Sequence, residues 1–381
     1  MLYYRYRPGT FLSMKELIYD EMYFSSVAES NDPYEGKLVA VFEKTPEHWD
    51  RLIKQALNKE FQEEHPSLVQ ELINYCIEIS PISVNDFLVL NEGDANIKVF
   101  IDEVLPSEHE GVPPFIKAIN DIKRFIAINA LVEHYFVSFS KSCDNLLMWS
   151  HYANNHRGHC LVFRPIDNKI MQHPLWLKTG FAYDTAKTSV FPQRGFNFPE
   201  KGFPMHDIAY SDELTNNQNA FLLFPNVVCR EHSEKEIDAA YNSLANAYLR
   251  KHTVWKYEEE ARLLISGGIQ PMARQILRLS KHQRLFHYDP SQLVGIILGA
   301  RISVEQRSQI EEIIQQKLKM YDLSSGFVMF DARLSTNKVN IKVEPEKILY
   351  PTKKVDKKHA FFNMRFQTWN DTNNFFENVA K

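Results

Sequence analysis

The chain has 381 residues, of which 44% are hydrophobic and 13% aromatic. This composition predicts a folded protein with a sizeable core and excludes disorder over most of the length. Lys and Arg number 44 against 48 Asp and Glu, so the net charge of -4 supplies no general attraction to nucleic acid or to an anionic membrane.

Apolar segments and cysteine spacing indicate the cellular compartment. No stretch has the apolar core of a signal peptide, and no window approaches the roughly 20 apolar residues of a membrane span. The four cysteines are widely spaced and form no C-x-x-C pair, which favours reduced thiols over a disulfide framework. We therefore expect a cytoplasmic protein without a membrane partner, and the sequence leaves its oligomeric state open.

The first elements alternate between strand and helix. Residues 2–6 are extended and aromatic, residues 11–21 have a helical pattern, and residues 22–24 form a second short strand. The Asn-Asp-Pro run at 31–33 then predicts a turn.

A helical insertion is predicted next. Apolar residues including Trp49, Leu52 and Ile53 recur at spacings of three and four, which is typical of an amphipathic helix. A surface loop over 91–114 and a further helix over 115–132 complete an insertion that spans 44–132.

The middle of the chain returns to strands. Residues 135–140 alternate Phe and Ser, so Ser138 and Ser140 share one face. Asp144 is the predicted N-cap of a helix that runs through Tyr152 and stops at Gly158, and residues 159–164 form another strand.

Later segments complete the predicted architecture. Residues 234–250 are predicted as helix and residues 293–298 as a short buried strand. Alternation without regular βαβ spacing predicts an α+β core over 1–343 instead of a doubly wound sheet. Residues 344–381 are basic and aromatic and are predicted to form a C-terminal docking arm or helix.

The segment from Trp255 to Ile265 carries the densest pattern of charges. If it is a strand, Glu258, Glu260 and Arg262 project from one face. If it is a helix, Glu258 and Arg262 form a favourable i,i+4 pair. We prefer the strand, because the apolar run ends in Gly-Gly, and a purely structural ion pair is the alternative role for these charges.

Common catalytic signatures are missing: the sequence contains no P-loop, H-E-x-x-H, G-x-S-x-G or G-x-G-x-x-G. Three signals remain in chain order: Arg5 on the first strand, Ser138 and Ser140 on a middle strand, and Glu258 and Glu260 on a late strand.

That order resembles the R-S-E class of ADP-ribosyltransferases. The resemblance implies an ADP-ribosyltransferase-like mixed or antiparallel β core with NAD as a substrate. It assigns Arg5, Ser138 and Ser140 to NAD binding, Glu260 to catalysis and Glu258 to activation of the acceptor. A phenylalanine stands where the family has the middle threonine of its S-T-S strand.

The chemistry agrees with these residue types. Cleavage of the bond between nicotinamide and ribose builds positive charge on the sugar, and a fixed carboxylate can stabilise that charge. Two carboxylates on one face can also raise the pKa of one of them. An arginine can contact a phosphate through two donors.

A second resemblance is to a bacterial family of uncharacterised proteins. Its motifs are N-D-P-[FY]-E, F-S, M-W-x-H-Y-A-x-x-H-x-G and W-x-x-E-x-E-x-R, which this chain carries at 31–35, 139–140, 148–158 and 255–262. The resemblance implies one pocket around the acids. We assign Trp149, Tyr152 and Arg262 to cofactor binding in it, with core packing as the alternative for the aromatic residues, Trp255 included.

The histidines near this motif raise the question of a metal. Two of them, His151 and His156, are five residues apart and would be separated by about 140° on a helix. We therefore predict no metal site and consider His151 as a general acid or base.

The sequence thus predicts an NAD-dependent ADP-ribosyltransferase that acts on a protein (arginine) or nucleic-acid acceptor. The resemblance makes a toxin or phage-defence effector a natural setting. A nucleic-acid-processing enzyme and a non-catalytic partner-binding module are the alternatives.

Overall fold

The computed structural model describes residues 1–36, 38–90, 112–130, 134–178, 180–183, 194–198, 202–213, 215–224, 233, 235, 247–266, 279–337 and 339–375. Within these residues the fold is α+β, as predicted, with a large mixed sheet. Most of the predicted helix over 234–250 and most of the predicted loop over 91–114 lie outside the described residues, and Arg250, at the end of that predicted helix, begins a strand.

The helices are α1 (Phe11–Tyr19), α2 (Pro46–Ala56), α3 (Lys59–Glu64), α4 (Pro66–Glu78), α5 (Val84–Val89), α6 (Val112–Ala130), α7 (Leu146–Tyr152), α8 (Val304–Met320) and α9 (Phe362–Asn373). Short 3-10 helices cover Val27–Glu29, Ala220–Leu223, Thr253–Glu258 and Pro290–Gln292. No helix within the described ranges combines the length and the apolar character that crossing a membrane requires.

The strands are β1 (Tyr3–Arg7), β2 (Glu21–Tyr23), β3 (Ser25–Ser26), β4 (Leu38–Phe42), β5 (Ile82–Ser83), β6 (His134–Ser140), β7 (His159–Phe163), β8 (Lys169–Ile170), β9 (Gly180–Tyr183), β10 (Arg194–Asn197), β11 (Phe203–Asp207), β12 (Ala209–Tyr210), β13 (Thr215–Asn219), β14 (Arg250–Lys251), β15 (Glu260–Ser266), β16 (Leu285–His287), β17 (Leu293–Leu298), β18 (Phe327–Leu334), β19 (Ile341–Leu349) and β20 (Lys354–Asp356).

The central sheet contains 11 of the described strands, in the order β20-β19-β18-β17-β7-β1-β6-β15-β11-β8, with β3 beside β6. Alternation along β1 sends successive side chains to opposite faces. Tyr3 packs in one hydrophobic cluster with Ile310 of α8, and Tyr4 packs in another with Trp369 of α9. We call these two sides of the sheet the α8 face and the α9 face.

The C-terminal segment belongs to this sheet and its cover. The boundary predicted at residue 344 falls inside β19, which pairs with β18 along its length. Helix α9 then buries Phe362, Phe366 and Trp369 on the α9 face. These three aromatic residues of the predicted docking arm or helix are therefore core residues, whereas Phe361 just before α9 is 56% exposed.

The predicted insertion packs around a hydrophobic cluster of its own. Trp49, Leu52 and Ile53, whose spacing predicted an amphipathic helix, are fully buried on α2. Residues from outside the predicted bounds also contribute, among them Phe42, which ends β4, and Phe221, which lies in the 3-10 helix after β13.

Helix α7 differs from the prediction at both ends. Asn145, and not Asp144, is its N-cap, because the Asn145 side chain accepts from the Leu147 N–H at 2.9 Å. The helix ends at Tyr152, and Gly158 lies beyond it in the approach to β7.

The edge of β6 that faces β1 has two different neighbours. In the described strands, β1 meets β6 at Tyr4, opposite Ser140, whereas β3 meets it at Ser25 and Ser26. Residues 137–139 lie between these two contacts, where β1 and β3 diverge. The sheet is therefore split at this point, and the split positions the site.

Candidate functional site

A cavity of about 540 Å³ lies at the split in the sheet. Its size falls within the roughly 300–1,000 Å³ typical of small-molecule sites. All the site residues predicted from the sequence line it except Trp149: Arg5, Ser138, Ser140, His151, Tyr152, Glu258, Glu260 and Arg262.

Strand β15 supplies Glu260, whose carboxylate is held by several hydrogen bonds. Glu260 and Arg262 are two residues apart on this strand, so both side chains leave the same face. Arg262 donates from Nε to Glu260 Oε1 at 2.6 Å and from Nη2 to Oε2 at 2.9 Å. The Ser138 hydroxyl also donates to Glu260. Glu260 is thus a buried anion held by a two-donor contact.

Arg262 also joins the N-D-P-Y-E motif to this strand. Its Nη1 donates to Glu35 Oε1 at 2.6 Å and its Nη2 to Glu35 Oε2 at 2.9 Å, and both side chains are 0% exposed. The turn predicted here is present, since Asp32 Oδ1 accepts from the Tyr34 N–H at 2.9 Å. The two motifs therefore meet through one arginine.

Lys251 on β14 connects the two acids of the E-x-E motif. Its Nζ lies 2.6 Å from Glu258 Oε2 and 3.0 Å from Glu260 Oε2. On the parallel strand β12, the hydroxyl of Tyr210 accepts from the Glu260 N–H at 2.7 Å. Sequence reasoning missed Lys251 and Tyr210, because neither lies in a recognisable motif.

The strand prediction for Glu258 is wrong. Glu258 ends the 3-10 helix Thr253–Glu258, and Glu259 takes a left-handed conformation with φ 44 before β15 begins. A turn, and not the pleat of a strand, therefore brings the Glu258 and Glu260 carboxylates to the same lysine.

Tyr152 of α7 contacts the other oxygen of Glu258. Its hydroxyl donates to Glu258 Oε1 at 2.5 Å and accepts from Asn31 Nδ2 at 2.9 Å. Asn31 begins the N-D-P-Y-E motif, so this motif also reaches Glu258 through Tyr152. Burial and the Glu258 carboxylate raise the pKa of Tyr152, which keeps its hydroxyl protonated as a donor.

The two acids have opposite electrostatic character. Burial raises the pKa of Glu258 above its ordinary value, against the opposing effects of Lys251 and Tyr152. Burial alone would raise the pKa of Glu260 too, but Arg262 and Lys251 outweigh it and lower the pKa to about 2. Environments that separate two carboxyl pKa values in this way are typical of acid–base pairs in active sites.

The serines of β6 have different roles. Ser138 is exposed to the cavity, where it meets Glu260. Ser140 is buried, and its hydroxyl donates to the Glu258 carbonyl at 2.7 Å. It therefore supports the turn at Glu258, and this bond already uses its only proton.

Arg5 reaches the cavity from the other side of the sheet. Tyr4 is opposite Ser140, and Ser140 is opposite Glu260, so these three side chains share the α9 face. Arg5 follows Tyr4 and therefore takes the α8 face, where its Nη1 lies 4.0 Å from Glu16 Oε2 of α1. The cavity at the split is lined from both faces.

Two predicted residues of α7 are placed differently. Trp149 is fully buried, its Nε1 donates to the Cys143 carbonyl at 2.8 Å, and its ring packs edge-on against Tyr6. It belongs to the core on the α9 face, which is the alternative role given above for this residue, and it does not line the cavity. His151 is exposed at the mouth of the cavity.

The histidines after α7 do not converge. His156 is buried, and its ring lies nearly parallel to that of Trp149 with the ring centres 6.3 Å apart. His159 and Cys160 are neighbours on β7, so their side chains face opposite sides of the sheet. Among the described residues, no group of three His, Cys, Asp or Glu side chains is arranged to hold a metal ion.

A smaller cavity of about 400 Å³ adjoins the first. The two share Asn31, His151 and Tyr152, and the smaller one adds Val254, Trp255 and Tyr257. A molecule in this aromatic groove would therefore approach the Tyr152 and Glu258 side of the main cavity.

Comparison with known proteins identifies one region of the chain. A family model described as a protein of unknown function (DUF2971) matches residues 148–263. This match is consistent with the resemblance to an uncharacterised family, and the span includes both α7 and the E-x-E-x-R strand. No curated protein and no solved structure matches the chain.

Proposed function

We propose that the protein is an NAD-dependent ADP-ribosyltransferase with a fold of the ADP-ribosyltransferase type, acting in the cytoplasm. One observation carries the proposal: two buried carboxylates of opposite character line one cavity. Glu260 is fixed as an anion, and Glu258 has a raised pKa. Enzymes that cleave glycosidic bonds combine a charged and a proton-transferring carboxyl group in this way.

Arg5 supports NAD as the substrate. Its side chain is 7% exposed, and within the described residues its Nη1 has no hydrogen-bond partner. A buried guanidinium donor without a hydrogen-bond partner suits a phosphate oxygen. Because Arg5 and Glu260 lie on opposite faces of the sheet, an elongated substrate with a phosphate near one and a ribose near the other would pass through the split.

Glu260 would act on the charge that builds during bond cleavage. As the bond between ribose and nicotinamide breaks, its electron pair leaves with nicotinamide and positive charge develops on the sugar. A preorganised anion stabilises this charge more in the transition state than in the ground state. The contacts of Glu260 with Arg262, Lys251 and Ser138 would keep it in place during the step.

Glu258 would handle the proton of the acceptor. As the acceptor atom bonds to the ribose carbon, Glu258 would take the proton that this atom loses. The aromatic groove beside Tyr152 gives a protein (arginine) or nucleic-acid acceptor a route to Glu258. The same resemblance suggests a toxin or phage-defence setting.

The test is nicotinamide release from NAD by the purified protein, with cell lysate supplying acceptors. We expect Glu260→Gln to lower the rate on the order of 10²–10³-fold, the typical cost of losing one group that stabilises transition-state charge. Glu259→Gln is the matched control, because Glu259 is exposed and adjacent in sequence. Circular dichroism would check that both variants are folded.

Two results would count against the proposal. Absence of both nicotinamide release and NAD binding in the wild type would overturn it. Equal rates for the wild type and Glu260→Gln would remove Glu260 from catalysis and leave the buried acids a structural role.

A further inference from the structure

We propose that Lys251 is a positioning residue that holds the Glu258 carboxylate ionised and aimed into the cavity. The inference rests on the proposed function for the catalytic role of Glu258. The effect of Lys251 on the ionisation of Glu258 can be tested separately from that role.

The contacts divide the two cations between the two acids. Glu260 has a two-donor contact from Arg262 and needs Lys251 only as an additional partner. Among the described residues no arginine contacts Glu258, whose Oε2 accepts from Lys251 at 2.6 Å and whose Oε1 accepts from neutral Tyr152 at 2.5 Å. Of the described cations, Lys251 is therefore the one that contacts Glu258.

The surroundings strengthen this contact. The Lys251 side chain is 4% exposed, and its Nζ lies 5.1 Å from the centre of the Trp255 ring. Burial alone would lower the pKa of Lys251, but Glu260 and Glu258 outweigh it and raise the pKa, so the lysine stays charged. An ion pair that excludes water is screened less than an exposed one.

Lys251 also separates two like charges. Its ammonium group lies between Glu258 Oε2 and Glu260 Oε2, and without it the anionic Glu260 would disfavour ionisation of Glu258. The titratable groups that face Glu258 are Lys251, Tyr152, Tyr210, Tyr257 and Glu260. The tyrosines are neutral near pH 7, so Lys251 supplies the positive charge.

The first measurement is the titration of Glu258 by NMR of protein labelled with ¹³C at the glutamate carboxyls. Glu258→Gln assigns the signal. We expect Lys251→Met to raise the midpoint by about one to three pH units, the usual effect of an opposite charge at this distance. Lys251→Arg keeps the charge and should leave the midpoint close to the wild-type value.

Lys317→Met is the matched control. Lys317 is also a buried lysine, 9% exposed in its side chain, and its Nζ lies 2.7 Å from Asp20 Oδ1. Its loss should lower stability without moving the Glu258 midpoint. An unchanged midpoint in Lys251→Met, or an equal change in Lys317→Met, would overturn the inference.

The second measurement is the pH profile of nicotinamide release. Glu258 must be ionised to accept a proton. In Lys251→Met the rate of nicotinamide release should therefore begin to rise only at higher pH, and it should approach the wild-type rate there. Activity lost equally at every pH would show a structural role and overturn the positioning role. A shifted Glu258 midpoint in a protein that never releases nicotinamide would retain the coupling and reject the proposed function.

Discussion

Replacement of Arg262 by methionine should be among the most destabilising single changes in the described structure. The guanidinium is 0% exposed and contacts two carboxylates, Glu35 and Glu260, which the substitution would leave without it. Breaking a buried ion pair by removing one partner costs about 3–5 kcal/mol. Because two acids lose their partner at once, we expect a value near the top of this range.

The change of stability with pH should have opposite directions in the wild type and in Arg262→Met, which gives a second test of the same contacts. In the wild type, the pKa of Glu260 is lowered from its ordinary value of 4.5 to about 2. Its contribution to the free energy of unfolding is therefore complete above about pH 4.5 and is lost as the pH falls towards 2. At 1.36 kcal/mol per pKa unit this contribution is about 3 kcal/mol. Without Arg262, burial should make Glu260 hold its proton more tightly, so the variant should lose stability as the pH rises from 4 to 7.

Urea unfolding followed by circular dichroism and tryptophan fluorescence measures both effects. Arg307→Met is the control, because Arg307 is 34% exposed and pairs with Asp331 at 2.7 Å. Such a pair is worth at most about 1 kcal/mol. Adding Glu35→Gln to Arg262→Met should recover part of the loss. If Arg262→Met costs no more than Arg307→Met, our account of the buried network is wrong.

Three further predictions concern the acid, the core and a backbone contact. The rate of nicotinamide release should rise with pH through the raised pKa of Glu258, and a pH–rate profile of Glu258→Gln should lack this limb. Trp149→Ala should lower the free energy of unfolding by about 3–5 kcal/mol in a urea titration, with unchanged NAD affinity by calorimetry. Gly158→Ala should cost about 1–3 kcal/mol in the same titration, because its Cβ would lie 2.0 Å from the Arg7 carbonyl oxygen.

Side-chain periodicity was sufficient to predict much of the fold. Strands β6, β7 and β17 lie where alternation or short apolar runs predicted them, because these largely buried strands consist mainly of apolar residues. Composition was less informative at the C-terminus, where the basic and aromatic segment predicted a docking arm or helix and the aromatic residues of α9 face a core. Composition alone does not show whether an aromatic side chain faces a core or a partner.

The site was only partly predictable, because motif spacing does not show which residues tertiary packing brings together. Motif spacing grouped Glu258, Glu260 and Arg262 correctly, since all three line one cavity. It could not find Lys251, which lies on a two-residue strand and meets the acids through tertiary packing. Nor could it show that Arg5 lies on the opposite face, because that depends on the pairing of β1 with β6.

The charges of the buried network do not balance when all its members are ionised. Glu35, Glu258 and Glu260 supply three negative charges, and Lys251 and Arg262 supply two positive ones, so the ionised network has a net charge of -1. Buried ion pairs add little to stability even when they balance, and an extra buried carboxylate costs stability. Removing Glu258 would balance the network. Under the proposed function this buried carboxylate would take the proton of the acceptor, which gives a destabilising charge that lines the cavity a role in proton transfer.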